Sequence, residues 1–163
     1  MSWENKLISL ETLEVYRRMR IGRTNIVATN GCFDVIHAGH VGLLREAKKA
    51  GDILVVGLNG DNSASLLKGE NRPINNEKDR ASVLAEFESV DYICIFPHIT
   101  AEGFLTACRP DVYIKGGDYT LDSLNKKEKK VLDDYKSQIL FYPMVAGVST
   151  TKTLQKLNKK INK

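Results

Sequence analysis

Apolar residues along this chain alternate between short, nearly unbroken runs and longer stretches in which they recur at helical spacing. The runs Asn25–Thr29, Ile53–Asn59, Tyr92–Phe96, Asp111–Lys115 and Gln138–Tyr142 read as strands. Between them, Gly39–Ala50, Asn76–Phe87, Thr100–Cys108 and about Asn125–Tyr135 read as helices. Another amphipathic helix is expected ahead of the first strand, over Ser9–Arg20. It carries Leu10 and Leu13, with Val15, Tyr16 and Met19 as further apolar positions, and Gly22 lies just past its end. A last helix is expected to start near Ser149. The alternation predicts an α/β fold, a Rossmann-like doubly wound sheet of about five parallel strands with helices on both faces. The strands are apolar throughout rather than every second residue, as expected when both sheet faces are covered. Ligands of such sheets bind beyond the carboxyl ends of the strands, where strand order reverses. Here those ends are Thr29–Asp34, Asn59–Asn62, Pro97–Thr100, Lys115–Asp118 and Pro143–Ser149, each polar or glycine-bearing.

Composition narrows the class without naming a chemistry. With 163 residues, 42% hydrophobic and 27% charged, the chain reads as one globular domain over 1–163, with 1–22 as an N-terminal helical extension. No internal repeat or low-complexity linker divides it. The longest uncharged apolar run, Ile53 to Leu58, is far too short to span a bilayer. Met1-Ser2-Trp3-Glu4 begins no signal peptide, so a cytoplasmic location is expected, with no membrane partner. Cys32, Cys94 and Cys108 are widely spaced and odd in number, which supports neither a disulfide framework nor a thiolate metal site. Much of the net charge of +4 comes from Lys126-Lys127-Glu128-Lys129-Lys130 and the tail Lys156 to Lys163. These runs read as solvated helix faces without an aromatic platform, so no nucleic-acid partner is expected.

The chemistry concentrates where the first strand meets the next helix, in Thr29-Asn30-Gly31-Cys32-Phe33-Asp34-Val35-Ile36-His37-Ala38-Gly39-His40. Residues three apart share one helix face, so His37 and His40 are expected to point together above a helix N-terminus. That end of a helix presents unpaired N–H groups and a partial positive charge, which favours phosphate. Gly39 lets the backbone approach a ligand closely. Two imidazoles at such a turn point to phosphoryl chemistry more than to simple helix capping. Phosphates raise an imidazole pKa and the helix end lowers it, so sequence leaves their protonation open. Asp34 has two readings, ligand contact or turn residue.

The segment Asn30 to Asp34 followed by His37-Ala38-Gly39-His40 resembles the signature of the cytidylyltransferase-like, His-x-Gly-His nucleotidyltransferase superfamily. Further on come Leu67-Lys68-Gly69-Glu70-Asn71-Arg72-Pro73, Arg80, Lys115-Gly116-Gly117-Asp118-Tyr119 and Gly147-Val148-Ser149-Thr150-Thr151, in that order. Together these resemble the bacterial D-glycero-D-manno-heptose 1-phosphate adenylyltransferases of lipopolysaccharide-core precursor synthesis. The resemblance runs from about Asn25 to the last helix.

It implies an enzyme that transfers AMP from ATP to heptose 1-phosphate, giving ADP-heptose and pyrophosphate. A different phosphorylated acceptor (glycerol 3-phosphate, another sugar phosphate, FMN) or a non-catalytic nucleotide-binding module are the alternatives. His37, His40 and Lys68 would contact the reacting phosphates, with Lys68 expected in the loop after the second strand. Asn30, Gly31, Cys32, Phe33, Gly39, Lys115, Gly116, Asp118, Ser149, Thr150 and Thr151 would bind the nucleotide. Asp34, Asn59, Asp61, Arg72, Arg80 and Tyr119 are candidates for the acceptor side, Arg80 having a helix-surface pair with Glu77 or Glu86 as its other reading. His98, after Pro97 at the end of the third strand, reads as a loop residue, with lining of the cleft as its other reading. No carboxylate cluster resembles a metal cage, so Mg2+ is expected to arrive with ATP. Related glycerol 3-phosphate cytidylyltransferases carry an arginine shortly before the Ser-Thr-Thr segment. Here Met144-Val145-Ala146 stands there, which argues against glycerol phosphate. Many members of this branch are fused to a sugar kinase, so a separate upstream kinase is expected. A homo-oligomer is also expected, with an exposed Trp3 as candidate contact.

Overall fold

The computed structural model describes residues 2–117 and 119–143. Strands β1 (Ile26–Gly31), β2 (Ile53–Asn59), β3 (Tyr92–Phe96), β4 (Val112–Gly116) and β5 (Gln138–Tyr142) form one parallel sheet in the order β3-β2-β1-β4-β5. The chain builds outward from β1 to β2 and β3, then crosses back to place β4 on the other side of β1. Strand order therefore reverses between β1 and β4.

Helices α1 (Leu10–Arg20), α2 (Ala38–Lys49), α4 (Glu77–Ala85), α5 (Glu102–Cys108) and α6 (Lys126–Asp134) fall within a residue or two of the sequence reading. Alternate side chains of each strand enter separate cores. Ile26, Ala28, Val55, Cys94 and Tyr113 pack with Leu13, Phe104, Leu105 and Leu132 of α1, α5 and α6. Val27, Leu54, Val56, Ile93 and Ile114 pack with Leu43, Leu44, Ala81 and Leu84 of α2 and α4. The two-faced core explains why the strands read as continuous apolar runs. Gly57 lets α5 close onto the sheet, because a Cβ there would lie 2.7 Å from the Phe104 ring.

Two elements escaped the sequence reading. Helix α3 (Asp61–Lys68) occupies what was expected to be a loop, and a short 3₁₀ turn spans Trp3–Lys6. Only Ser63 and Ala64 of α3 are buried, while Leu66 and Leu67 are exposed, so no apolar stripe marks it. It is instead held at its start, where the Asp61 N–H donates to Glu77 Oε2 at 2.8 Å.

The N-terminal segment is also more integrated than an appended helix. Leu13 is fully buried, and the Arg17 guanidinium forms paired bonds to Asp111 at 2.9 and 2.7 Å. The same Asp111 carboxylate accepts from the Ile26 N–H at 2.8 Å, tying α1 to the first residue of β1. Trp3, expected to be exposed, is half-buried against the core beside α4 because Leu7 and Ile8 pair with β3 and draw the segment inward. Among the described residues no helix is long and apolar enough to cross a membrane.

Candidate active site

A cleft of about 650 Å³ opens at the carboxyl end of the sheet, centred on the β1–β4 reversal. Its lining brings together most of the residues singled out in the sequence: Asn30 to Asp34 from the end of β1 and the turn after it, His37 just before α2, Gly39 and His40 in its first turn, Lys68 from α3, and Lys115 to Gly117 at the end of β4. Asn59, Arg72 and Tyr119 reach it as well. Asp118, Ser149, Thr150 and Thr151, with the expected last helix, lie outside the described residues.

The turn after β1 is built to aim the histidines. Phe33 adopts a left-handed backbone (φ 45°), which is uncommon for a residue with a side chain and clusters at functional turns. Its ring is buried and lies 5.2 Å from the His40 ring. His37 is the N-cap of α2 in extended backbone (φ −144°, ψ 172°), so it stands just before the helix and not within it. The two imidazoles nonetheless stack, with ring centres 3.9 Å apart and 28° between planes. Gly39 makes room for that stack as much as for any ligand, because a Cβ on it would lie 3.0 Å from the His37 ring.

Hydrogen bonds assign the His40 proton. Its Nδ1 accepts from the His37 backbone N–H at 3.3 Å, which leaves Nε2 as the protonated nitrogen of a neutral ring. Burial, reinforced by the positive fields of His37 and Lys68, pushes the His40 pKa down to about 4. Burial lowers that of His37 too. In the ligand-free protein desolvation favours the neutral form of both rings, most strongly that of His40. His37 Nδ1 is buried without a hydrogen-bond partner among the described residues, an unfavourable state that a ligand donor or acceptor would relieve.

This arrangement has a sign that can be checked. Between the ordinary histidine value of 6.5 and about 4, the unfolded chain takes up a proton at His40 that the folded chain refuses. Folding stability should therefore fall as pH drops through that window. In NMR titration of the free protein, the His40 ring carbons should hold their neutral shifts down to about pH 5. Titration near 6.5 would remove the burial argument.

Lys115 is the buried cation of the cleft. Its Nζ donates to Asn30 Oδ1 at 3.1 Å, and the Tyr113 hydroxyl donates to the same oxygen at 2.6 Å. Rings of Tyr119 and Tyr113 flank it, their centres 5.0 and 5.8 Å from Nζ. Burial lowers its pKa, offset in part by Glu128. Gly117 follows in a positive-φ conformation (104°), and a Cβ on Gly116 would lie 2.9 Å from Leu43, so the glycines serve backbone curvature and packing against α2. Lys68, the last residue of α3, is exposed and lines the same cleft.

Other expected ligand residues have their polar atoms engaged by the protein. The Asp34 carboxylate accepts from the Ile74 and Asn75 N–H groups at 2.8 and 3.1 Å and from Arg72 Nε. These contacts outweigh its burial and hold its pKa below the ordinary value. Asp34 is thus a clamp on the 72–75 loop, and Arg72 is oriented by it. Asn59 donates its amide to Ser63 Oγ at 3.2 Å and the His98 carbonyl at 3.3 Å. His98 itself is an exposed loop residue.

Arg80 and Asp61, candidates for the acceptor side, are not among the residues lining the cleft and bond to each other instead. The fully buried Arg80 guanidinium donates to the carbonyls of Asn75, Cys32 and Asn59 and to Asp61 Oδ1, and makes no helix-surface pair with Glu77 or Glu86. The Cys32 thiol is held protonated by burial, so its part in the turn is that of its backbone. Thr100, Glu128 and Tyr142 also line the cleft and went unnoticed in the sequence. Glu128 sits inside a lysine run that reads as solvated, and only the burial of one face of α6 reveals it.

The cleft holds neutral imidazole donors, ammonium groups and few free carboxylate oxygens. That set suits a polyanion with its own counter-ion and does not suit a protein cage for Mg2+, since Asp34 has both oxygens taken up. Among the described residues no cluster of three metal-ligating side chains occurs.

Comparison with known proteins adds four findings. A cytidylyltransferase-like family model matches residues 28–156. The chain is 44% identical over 155 residues to the bifunctional protein HldE of Campylobacter fetus subsp. fetus, covering 95% of this chain and 32% of that protein. It is 45% identical over 139 residues to the bifunctional protein HldE of Aliarcobacter butzleri, covering 84% of this chain and 28% of that protein. The chain thus spans about a third of the length of these relatives. Among solved structures, a lipopolysaccharide core biosynthesis protein from Thermoplasma volcanium aligns with a TM-score of 0.59 at 24% identity, over 75% of this chain and 97% of that one, a likeness of fold.

Proposed function

The chain belongs to the cytidylyltransferase-like nucleotidyltransferase family, and on that premise we propose that it transfers AMP from ATP to D-glycero-D-manno-heptose 1-phosphate, releasing ADP-heptose and pyrophosphate. The observation that carries this reading is the stacked pair His37 and His40 at the start of α2, lining one cleft with Lys68 and Lys115. The choice of acceptor follows from the sequence resemblance, in particular the Lys115-Gly116-Gly117 strand end.

The acceptor is already an ionised phosphate, with a second pKa of about 6, so its oxygen needs no general base. That oxygen forms a new bond to the α-phosphorus of ATP as the bond from phosphorus to the bridging oxygen breaks, and pyrophosphate leaves with the electron pair. Catalysis of such a step is positioning plus stabilisation of charge on the transferring and leaving groups. His40 donates from Nε2 to a phosphate oxygen, and His37 lies against it. Lys68 neutralises leaving-group charge from one side of the cleft. Lys115 holds the nucleotide or acceptor phosphate from the other, with Asn30 and the tyrosines orienting its ammonium. Mg2+ would be held by the phosphates of ATP and would neutralise part of their charge.

Pyrophosphate release should be measured with ATP and CTP across a panel of phosphorylated acceptors including heptose 1-phosphate, glycerol 3-phosphate and FMN. Release with ATP and heptose 1-phosphate at least about tenfold above every other pair is expected. Faster release with another acceptor would reassign the substrate. Nucleotide binding without release for any pair would make the chain a binding module.

A further inference from the structure

The cleft is not uniformly cationic. From Lys68 and the stacked histidines it runs past Lys115 to a wall formed by the segment before α5 and the first turn of α6, where Thr100 and Glu128 line it. Glu128 is 7% exposed, although the lysines around it in sequence are solvated or partly so. Those lysines do not neutralise it. Lys127 lies 3.8 Å from Glu102, and Lys129 and Lys130 pair with Asp133 and Asp134 at 2.8 and 2.6 Å.

One Glu128 oxygen, Oε1, accepts from the Ala101 N–H at 2.8 Å and so anchors the start of α5. Among the described residues the other oxygen receives no hydrogen bond. The field of the carboxylate is felt by Lys115, Tyr113 and Tyr119, while Lys115 also feels Lys68. Lys115 therefore shares one cavity with both the cationic Lys68 and the anionic Glu128.

A buried carboxylate repels phosphate but accepts strongly from hydroxyl groups, since a charged acceptor makes the stronger hydrogen bonds. The cleft would then sort its ligands by charge, with phosphates towards the histidines and Lys68 and an uncharged polyhydroxyl portion against Glu128. We infer that Glu128 is a specificity-determining residue, its free carboxylate oxygen receiving ring hydroxyls of the sugar-phosphate acceptor. This inference rests on the nucleotidyl-transfer reading and names the part of the acceptor that the far wall recognises.

Glu128→Gln tests it while keeping an oxygen for the Ala101 N–H. The full chain, wild type and variant, is titrated with heptose 1-phosphate in the presence of a non-hydrolysable ATP analogue, and pyrophosphate release is followed in parallel. Acceptor binding should weaken by about 10- to 100-fold, the range of a hydrogen bond to a charged group. The acceptor KM should rise in step, with the ATP KM and the melting temperature unchanged. Acceptors lacking single ring hydroxyls should bind wild type that much more weakly at one position or more, and there the variant and wild type should bind alike.

Unchanged acceptor affinity in the variant, or a loss equal for hydroxylated and deoxygenated acceptors, overturns the role. If the variant fails to fold, the wild-type series still decides, because equal affinity for every deoxygenated acceptor also overturns it. Binding of the sugar phosphate that depends on Glu128 without any pyrophosphate release would overturn the transfer reading, and with it the acceptor role, leaving Glu128 a hydroxyl contact of a bound sugar phosphate. No acceptor binding at all would remove both.

Discussion

Replacing His37 or His40 with alanine should lower kcat by on the order of 100-fold or more, the effect of deleting one preorganised donor to developing charge. The geometry is specific about why. His40 holds its Nε2 proton because Nδ1 accepts from the His37 backbone N–H, and burial keeps the ring neutral. The donor is therefore set before the nucleotide arrives and needs no reorganisation as charge builds on the α-phosphate. The stacked rings form one unit, so the double variant should lose much less than the product of the single losses. Stability should change by only about 1 kcal/mol, as for an altered helix cap. Steady-state kinetics with thermal denaturation separates the two effects. Wild-type turnover in either variant would strip that histidine of its role.

The second large effect concerns folding. Arg80→Ala should destabilise the protein by about 2–4 kcal/mol, because it empties a fully buried site and leaves the carbonyls of Cys32, Asn59 and Asn75 without their donor. Arg80→Lys should recover little, since one ammonium cannot reproduce the planar fork that serves Cys32, Asn59, Asn75 and Asp61 together. The loss should reach the site as well. Arg80 holds the Cys32 carbonyl, and in a trans peptide this turns the Phe33 N–H to the opposite side, away from the guanidinium. Urea unfolding gives the stability, and a loss below about 1 kcal/mol with impaired substrate binding would return Arg80 to the ligand set.

Much of the cleft was readable from local pattern. The apolar run before Asn30, the glycine-bearing turn and the amphipathic stretch after Gly39 announce a strand, a turn and a helix start. The pair His37 and His40 marks that junction for phosphate chemistry. Local pattern misleads where polar residues have their charges taken up by partners far away in sequence. Arg80 and Asp61 read as ligand candidates by their charges, and the fold pairs those charges with each other. Asp34 had two readings, and the backbone N–H groups of Ile74 and Asn75, which engage it as a clamp, lie 40 and 41 residues on. Helix α3 was missed because its only buried residues are small.

Sequence alone determined the strand-helix alternation, the two-faced core and the junction at which the histidines sit, because each depends on neighbours a few residues apart. Tertiary structure decided the reversal of strand order beside β1, which sets Lys115 beside Asn30 across 85 residues. It also decided the neutral state of His40 and the inward face of Glu128. These are matters of burial and of long-range hydrogen bonding, and desolvation acts on a side chain only once the rest of the chain has folded around it.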